Sequence, residues 1–241
     1  MIKFENTEVM NFEGAIRGMR NPLNSWDKSD SVFTSEGDNP GTDCPCLCPL
    51  DTPEIGPNDL ALMKKLIKAG SDHRKFMRQI FVSVDITAPL YWWKEFDTYK
   101  VATVSNSCST MHKIHDKEFT LEDFSTDHLI LDEDLTLYGA EWFSPRDIMK
   151  LVIETLNGAR ESYLKAKENG ADGFTLKRYW WQMIQLLPSS YNQRRTITLN
   201  YETLYNIYGS RRNHKLDEWS IGFMDWIKSL PYAEELIIDR S

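Results

Sequence analysis

The stretch that most limits the fold is "IFVSVDITAPLYWWKEFDTYK", residues 80–100. It begins with a strict alternation, in which Ile80, Val82, Val84 and Ile86 are apolar and Ser83 and Asp85 between them are polar. A period of two places one apolar face on a core, so the run predicts a half-buried strand. Pro89 follows, at a position suited to the first turn of a helix. The aromatic run behind it predicts a helix over 89–100.

Other elements announce themselves through caps and spacing. "PNDLALMKKLIKAG" predicts a helix capped by Asn58 or Asp59, with Leu60, Met63, Leu66 and Ile67 at helical spacing and Gly70 as the stop. "SPRDIMKLVIETLNGARESYLKAKENG" is the longest helix signal, with Ser144 as cap, Pro145 in the first turn and Gly170 as stop. Within the mixed acidic stretch 116–142, only a short helix near Leu121 is expected. A helix over "LKRYWWQMIQLLP" ends at Pro188, "RRTITLN" is a strand, and "NYETLYNIYGSRR" and "LDEWSIGFMDWIKSL" are two more helices. Helices and strands are mixed without a regular β-α-β alternation, which predicts an α+β fold rather than a doubly wound sheet. The 241 residues fit a single domain, whose residues 1–57 are rich in loop. Residues 20–58 in particular abound in Pro, Gly, Asn, Asp and Ser.

Charge narrows the function classes. The net charge is −8 and the pI is about 5.2, and there is no long basic run, which argues against nucleic acid as a partner. No run of about 18 apolar residues exists to span a membrane. "MIKFENTEVMNFEG" lacks the layout of a signal peptide, so a cytoplasmic protein is expected. The four cysteines are Cys44, Cys46, Cys48 and Cys108. Three of them lie in "CPCLC", a poor disulfide framework and, without a second pair, a poor zinc site. No metal is expected, and the "CPCLC" loop is also readable as a partner-binding segment.

The usual signatures of dinucleotide, P-loop, zincin and α/β-hydrolase sites are absent. His112 and His115, three residues apart, are read as surface histidines rather than a metal pair. "SSYNQRR" and "GSRRNHK" carry Arg194, Arg195, Arg211 and Arg212 on either side of a strand–helix unit. Arginine forks suit phosphate, so these clusters point to a pocket for an anion. Asn200 sits at a helix start, where it is a natural cap. Asn206 lies inside that helix, where asparagine is a poor former, and its amide is suited to the edge of a planar ligand. Tyr201, Tyr205 and Tyr208 are expected to pack in a core or interface. Directly after the aromatic helix, "EFDTYKVATVSNSCSTMHK" concentrates hydroxyls, lysines, an asparagine and Cys108.

These residues carry a resemblance. From about 58 to 230 the chain resembles the flavin-dependent thymidylate synthases, the ThyX family. It shares with them a strand running into Ala88-Pro89, an aromatic helix and then a loop, followed by Leu187-Pro188, a strand closing on Thr198 and Asn200, a helix, Arg211 and Glu218. The family signature R-H-R-x-x-S-x-N-E-x-S-x-R falls on Thr98 to Thr110. Lys100 keeps a positive charge and Thr103 a hydroxyl, while the outer arginines and the glutamate have no counterpart. Cys108 stands at the second serine position.

The resemblance implies a mixed sheet flanked by helices and a homotetramer. It implies reductive methylation of dUMP to dTMP with FAD, NADPH and methylenetetrahydrofolate. By position it puts Tyr99, Lys100, Asn106, Asn200 and Asn206 beside the flavin. It puts Glu95, Lys100, Cys108, Ser109, Arg194 and Arg211 beside the nucleotide, with Arg211 stabilising charge that develops on the pyrimidine. Ile184 replaces an arginine of the pattern, and Arg194 is placed to substitute for it. Cys108 has two readings, a thiol nucleophile toward the pyrimidine or a small buried residue. The alternative to an active synthase is a catalytically altered or inactive relative that still binds nucleotide or flavin.

Overall fold

The computed structural model describes residues 2–33, 53–129 and 144–240. Within them the alternating run becomes the strand that orders everything around it. The chain begins with β1 (Lys3–Met10), which was not foreseen, and α1 (Phe12–Arg20). Asn11 joins them in the left-handed region at φ 70, a conformation asparagine tolerates better than most residues. Two 3₁₀ turns follow, at Asn21–Leu23 and Trp26–Lys28, so the start of the expected loop is wound rather than irregular. The "CPCLC" segment lies outside the described residues.

Helix α2 (Pro57–Lys68) starts two or three residues earlier than its sequence caps Asn58 or Asp59 suggest, with Gly56 at the cap position. The reason is that Asp59 is committed elsewhere. Its buried carboxylate accepts from Arg20 Nε at 2.6 Å and from the Ser29 and Ser31 hydroxyls at 2.7 Å each. The cap comes from Asp30, whose carboxylate oxygens accept the backbone N–H groups of Asn58 and Asp59 at 2.9 and 3.1 Å. Gly70, in the left-handed region at φ 102, stops the helix as expected.

Strand β2 (Phe81–Pro89) buries Val82, Val84, Ile86 and Ala88. Pro89 ends the strand and caps α3 (Leu90–Phe96), which is shorter than its aromatic run predicts. Next come β3 (Val104–Ser107), also unforeseen, and the short α4 (Thr110–Lys113). The expected helix near Leu121 is a 3₁₀ turn at Leu121–Asp123.

Helix α5 (Pro145–Glu168) starts with a capping box in which Ser144 Oγ accepts from Asp147 N and Asp147 bonds back to Ser144. Helix α6 (Gly173–Leu186) is capped by Asp172. Strand β4 (Asn192–Asn200) runs straight into α7 (Tyr201–Arg211). The helix read over 216–230 winds in π geometry at Glu218–Phe223 before continuing as α8 (Met224–Lys228).

The four strands form one sheet in the order β1-β2-β4-β3, and the fold is α+β. On the outward face, Asp85 of β2 ties its neighbours together. One oxygen accepts from Asn6 Nδ2 of β1 at 2.8 Å and the other from Thr196 Oγ1 of β4 at 2.5 Å.

The chain divides into two compact units. One comprises Thr87–Asp97 and Ser107–Arg194. Its core gathers Ile114, Phe119, Phe124, Leu156, Ala159 and Met183, while Trp92, Trp93 and Phe96 of α3 pack ring on ring. The other comprises Ile2–Ile86, Thr98–Asn106 and Arg195–Ser241. Here Met63, Ile80, Ile197, Leu204, Ile207 and Trp219 are fully buried. Tyr201 also packs in this core as expected, its hydroxyl donating to Pro231 O at 2.6 Å. Among the described residues no helix is long and apolar enough to cross a membrane.

Candidate functional site

The unit that holds α7 contains a cavity of about 500 Å³. One wall is the turn Thr98–Ala102, and the other is the first two turns of α7 with Arg78. The turn exists because α3 stops at Phe96 and the chain must reverse before β3. Ala102 does so in the left-handed region at φ 56, a cost that a residue with a Cβ bears only where the surroundings hold it. The surroundings here include Thr203, whose hydroxyl lies 3.4 Å from Val101 O and 3.1 Å from Asn200 Oδ1.

Asn200 lines this cavity and caps α7, accepting the Thr203 N–H at 2.9 Å. Strand β4 delivers it there buried, so its carbonyl oxygen serves the helix start. Asn206, one turn and a half further along, is exposed and lines the same cavity. Lys100 projects from the turn and makes no ion pair among the described residues.

Glu202 is the electrostatic centre of the wall. Its carboxylate accepts from Arg74 Nε at 3.2 Å and pairs closely with Arg78 Nε. Burial pushes the Glu202 carboxyl up, but the bonds from Arg78 and Arg74 outweigh it and hold it below the usual carboxylate range. The same bond raises Arg78 above the ordinary guanidinium value. Arg74 also reaches Asn206 Oδ1 at 3.5 Å.

Arg211, at the end of α7, is held by aromatic partners. Its Nε donates to the Tyr99 hydroxyl at 2.7 Å, and its guanidinium lies 5.5 Å from the Tyr99 ring centre and 5.2 Å from that of Trp219. These contacts fix a cation against two ring faces. Nearby in sequence, the Thr103 hydroxyl is buried with no hydrogen-bond partner among the described residues.

Of the residues expected beside a ligand, Tyr99, Lys100, Asn200 and Asn206 therefore line one cavity, and Arg211 is bonded to Tyr99. Asn106 lies on β3 and is exposed. Glu95, Cys108, Ser109 and Arg194 belong to the other unit. There Glu95 is half-buried on α3, and Ser109 caps α4 by accepting the His112 N–H at 3.0 Å. Cys108 is exposed, which overturns its reading as a small buried residue. Its backbone is pinned, its N–H donating to Arg194 O and its carbonyl accepting from Gln193 Nε2, each at 2.9 Å. His115, read as a surface histidine, is instead half-buried, its ring packing 4.6 Å from that of Tyr163 with the side chain 15% exposed.

Sequence reasoning missed Arg74, Arg78 and Glu202. The two arginines are four residues apart in "RKFMRQ", a 3₁₀ helix at Arg74–Gln79. That spacing was the one available signal. Glu202 looks like an ordinary acidic residue in a first helical turn.

No family model matches the chain, and no curated protein matches it. Solved structures do. A crystal structure of Thymidylate Synthase X (ThyX) from Helicobacter pylori with FAD and dUMP superposes at a TM-score of 0.61 and 14% identity, covering 98% of this chain and 97% of that one. A second, flavin-dependent thymidylate synthase ThyX from Helicobacter pylori complexed with FAD and dUMP, gives 0.59 and 12%, covering 97% and 98%. At these identities the likeness is one of fold, and it spans both chains nearly end to end.

Proposed function

We propose that this chain binds a flavin nucleotide in the cavity of Thr98–Ala102 and α7 and serves flavin-dependent thymidylate synthesis, the reductive methylation of dUMP to dTMP. One observation carries the reading. The turn at 98–102 and the asparagines at 200 and 206, about a hundred residues apart in sequence, line a single cavity. These are the flavin-side positions that the resemblance to the ThyX family marks out. The solved structures that share the fold were obtained with FAD and dUMP.

The residues present fit such a group. Lys100 offers a positive charge and Asn206 an amide edge, and both line the cavity. FAD would be held by Lys100, Asn206 and the backbone of the turn. When bound it supplies the redox chemistry, with NADPH as reductant and methylenetetrahydrofolate as one-carbon donor. The protein's own part is orientation and charge. Tyr99 and Trp219 hold the Arg211 guanidinium in one place, which suits it to a nucleotide ring that gains negative charge. Cys108, Ser109, Arg194 and Glu95, all of the other unit, are the nucleotide-side positions that the resemblance marks out. Val101 within the turn and Val104 just beyond it are 85% and 68% exposed. Apolar exposure there supports a homotetramer whose copies cover them.

A second reading has its own support. Glu202 occupies both Arg74 and Arg78, and the signature's outer arginines are missing. A nucleotide-binding relative without methyl transfer would look like this. Two results separate the readings. A protein that copurifies with flavin and lets a thymidine-requiring bacterium grow without thymidine is a synthase. A protein that takes up FAD or dUMP but gives no rescue is the altered relative, and a colourless protein that refuses both FAD and dUMP removes both.

A further inference from the structure

A second cavity, of about 450 Å³, lies in the same unit between α2, α7 and the end of the chain. Its lining carries four cations, Lys64, Lys68, Arg74 and Arg240, against two carboxylates, Glu235 and Asp239. In a protein of net charge −8 this is a local reversal of sign.

Two of the cations are positioned by structure. Tyr205 holds both guanidiniums, with Arg74 lying 4.5 Å and Arg240 4.1 Å from its ring centre. Arg240 also donates to the Tyr205 carbonyl. Its seat depends on Gly209, where a Cβ would come within 2.4 Å of Arg240 Nη1. The carboxylates neutralise the site only in part. Lys64 reaches Asp239 at 3.8 Å, the long end of an ion pair, and Lys68 makes no ion pair among the described residues. Arg74 faces this cavity while its Nε holds Glu202.

We propose that this cavity binds a phosphate-bearing anion, gripped by Lys68, Lys64, Arg74 and Arg240. Guanidinium and ammonium groups converging on one concavity match the three acceptor oxygens of a phosphate. Chloride can accept from one guanidinium, but as a single atom it cannot meet several donors with separate oxygens as phosphate does. The site is distinct from the flavin cavity, and neither Lys68 nor Arg240 lines the latter.

The test is calorimetric titration of the full chain with inorganic phosphate and, separately, with adenosine 5′-monophosphate, at fixed ionic strength in chloride. Saturable binding of either anion is expected, weakened at least about tenfold in a Lys68→Ala/Arg240→Ala variant. Both side chains are exposed, so the variant should keep the wild-type urea midpoint, and a Lys68→Arg variant, which keeps the charge and leaves Arg240 in place, should retain most of the affinity. Equal binding of the two probes assigns the site to phosphate itself, and tighter monophosphate binding assigns it to a phosphate ester. No saturable binding, or binding unchanged in the double variant, overturns the proposal. FAD uptake by the double variant equal to wild type is expected, so failure here leaves the flavin reading untouched, and the reverse.

Discussion

Two carboxylates in one unit hold arginines in opposite ways. Asp59 is 0% exposed and its partner Arg20 4%. Its second oxygen takes two serine hydroxyls and the N–H groups of Asp30 and Ser31. The Arg20 Nη1 is used as well, by the carbonyl of Ser25 at 3.0 Å. Everything the pair needs is supplied by the chain. Glu202 and Arg74 are 13% and 15% exposed, Arg78 is 47% exposed, and the group borders two cavities. A closed network fixes structure. An open one, whose arginines reach surfaces a small molecule can enter, leaves charge for a ligand to compete for.

The largest expected effect is on the closed pair. Asp59→Asn leaves Arg20 buried without its counter-charge, and urea unfolding at pH 7 should show a loss of about 3–5 kcal/mol. A loss under about 1 kcal/mol would mean that Asp59 is no more structural than Glu202.

Acid should act on both. Burial pushes the Asp59 carboxyl up, but Ser31, Ser29, Arg20 and the Asp30 N–H together hold it below its ordinary value, and Glu202 is lowered as well. Each thus contributes stability that is fully present above the unfolded carboxylate values of roughly 4 and is lost as pH falls through the lower folded value. Stability measured from pH 6 downward should hold to about pH 5 and then fall, with a shallower fall in Asp59→Asn. Equal slopes would show that Asp59 titrates alike in the folded and unfolded chain.

Glu202→Gln should cost less, about 1–2 kcal/mol, since solvent reaches the arginines it releases. It should also tighten the binding of anions by freeing Arg74 and Arg78. Weaker anion binding would mean that Glu202 itself contacts the ligand.

The smallest stability effects separate the two asparagines. Asn200→Ala should lose about 1 kcal/mol, as a cap does. Asn206→Ala, exposed in mid-helix, should change stability by less than about 0.5 kcal/mol while weakening FAD. The opposite pattern would exchange their roles.

Much of this was readable in the chain. The helices at 57–70, 144–170 and 200–212 and the strand at 80–88 depend on local caps, stops and periodicity, which sequence carries in full. Strand β1 was not readable because its burial runs exposed or half-exposed throughout, with no apolar stripe. Helix α1 hides behind Gly14 and Gly18. The π winding at Glu218–Phe223 leaves no mark on a helical period. The site followed the same division. Asn200 and Asn206 stand out at a strand–helix junction, whereas Glu202 meets Arg74 across 128 residues. No local pattern announces such a pair. The exposure of Cys108 likewise follows from the placement of β3, an element too short and polar to predict.

The central claim is that the cavity of Thr98–Ala102 and α7 holds a flavin. It is tested most directly by titrating the purified chain with FAD and following the flavin band at roughly 450 nm. Saturable binding to the wild type, with Asn206→Ala and Lys100→Ala each at least about tenfold weaker at an unchanged unfolding midpoint, is the predicted result. No saturable binding, or binding equal in all three proteins, would contradict it.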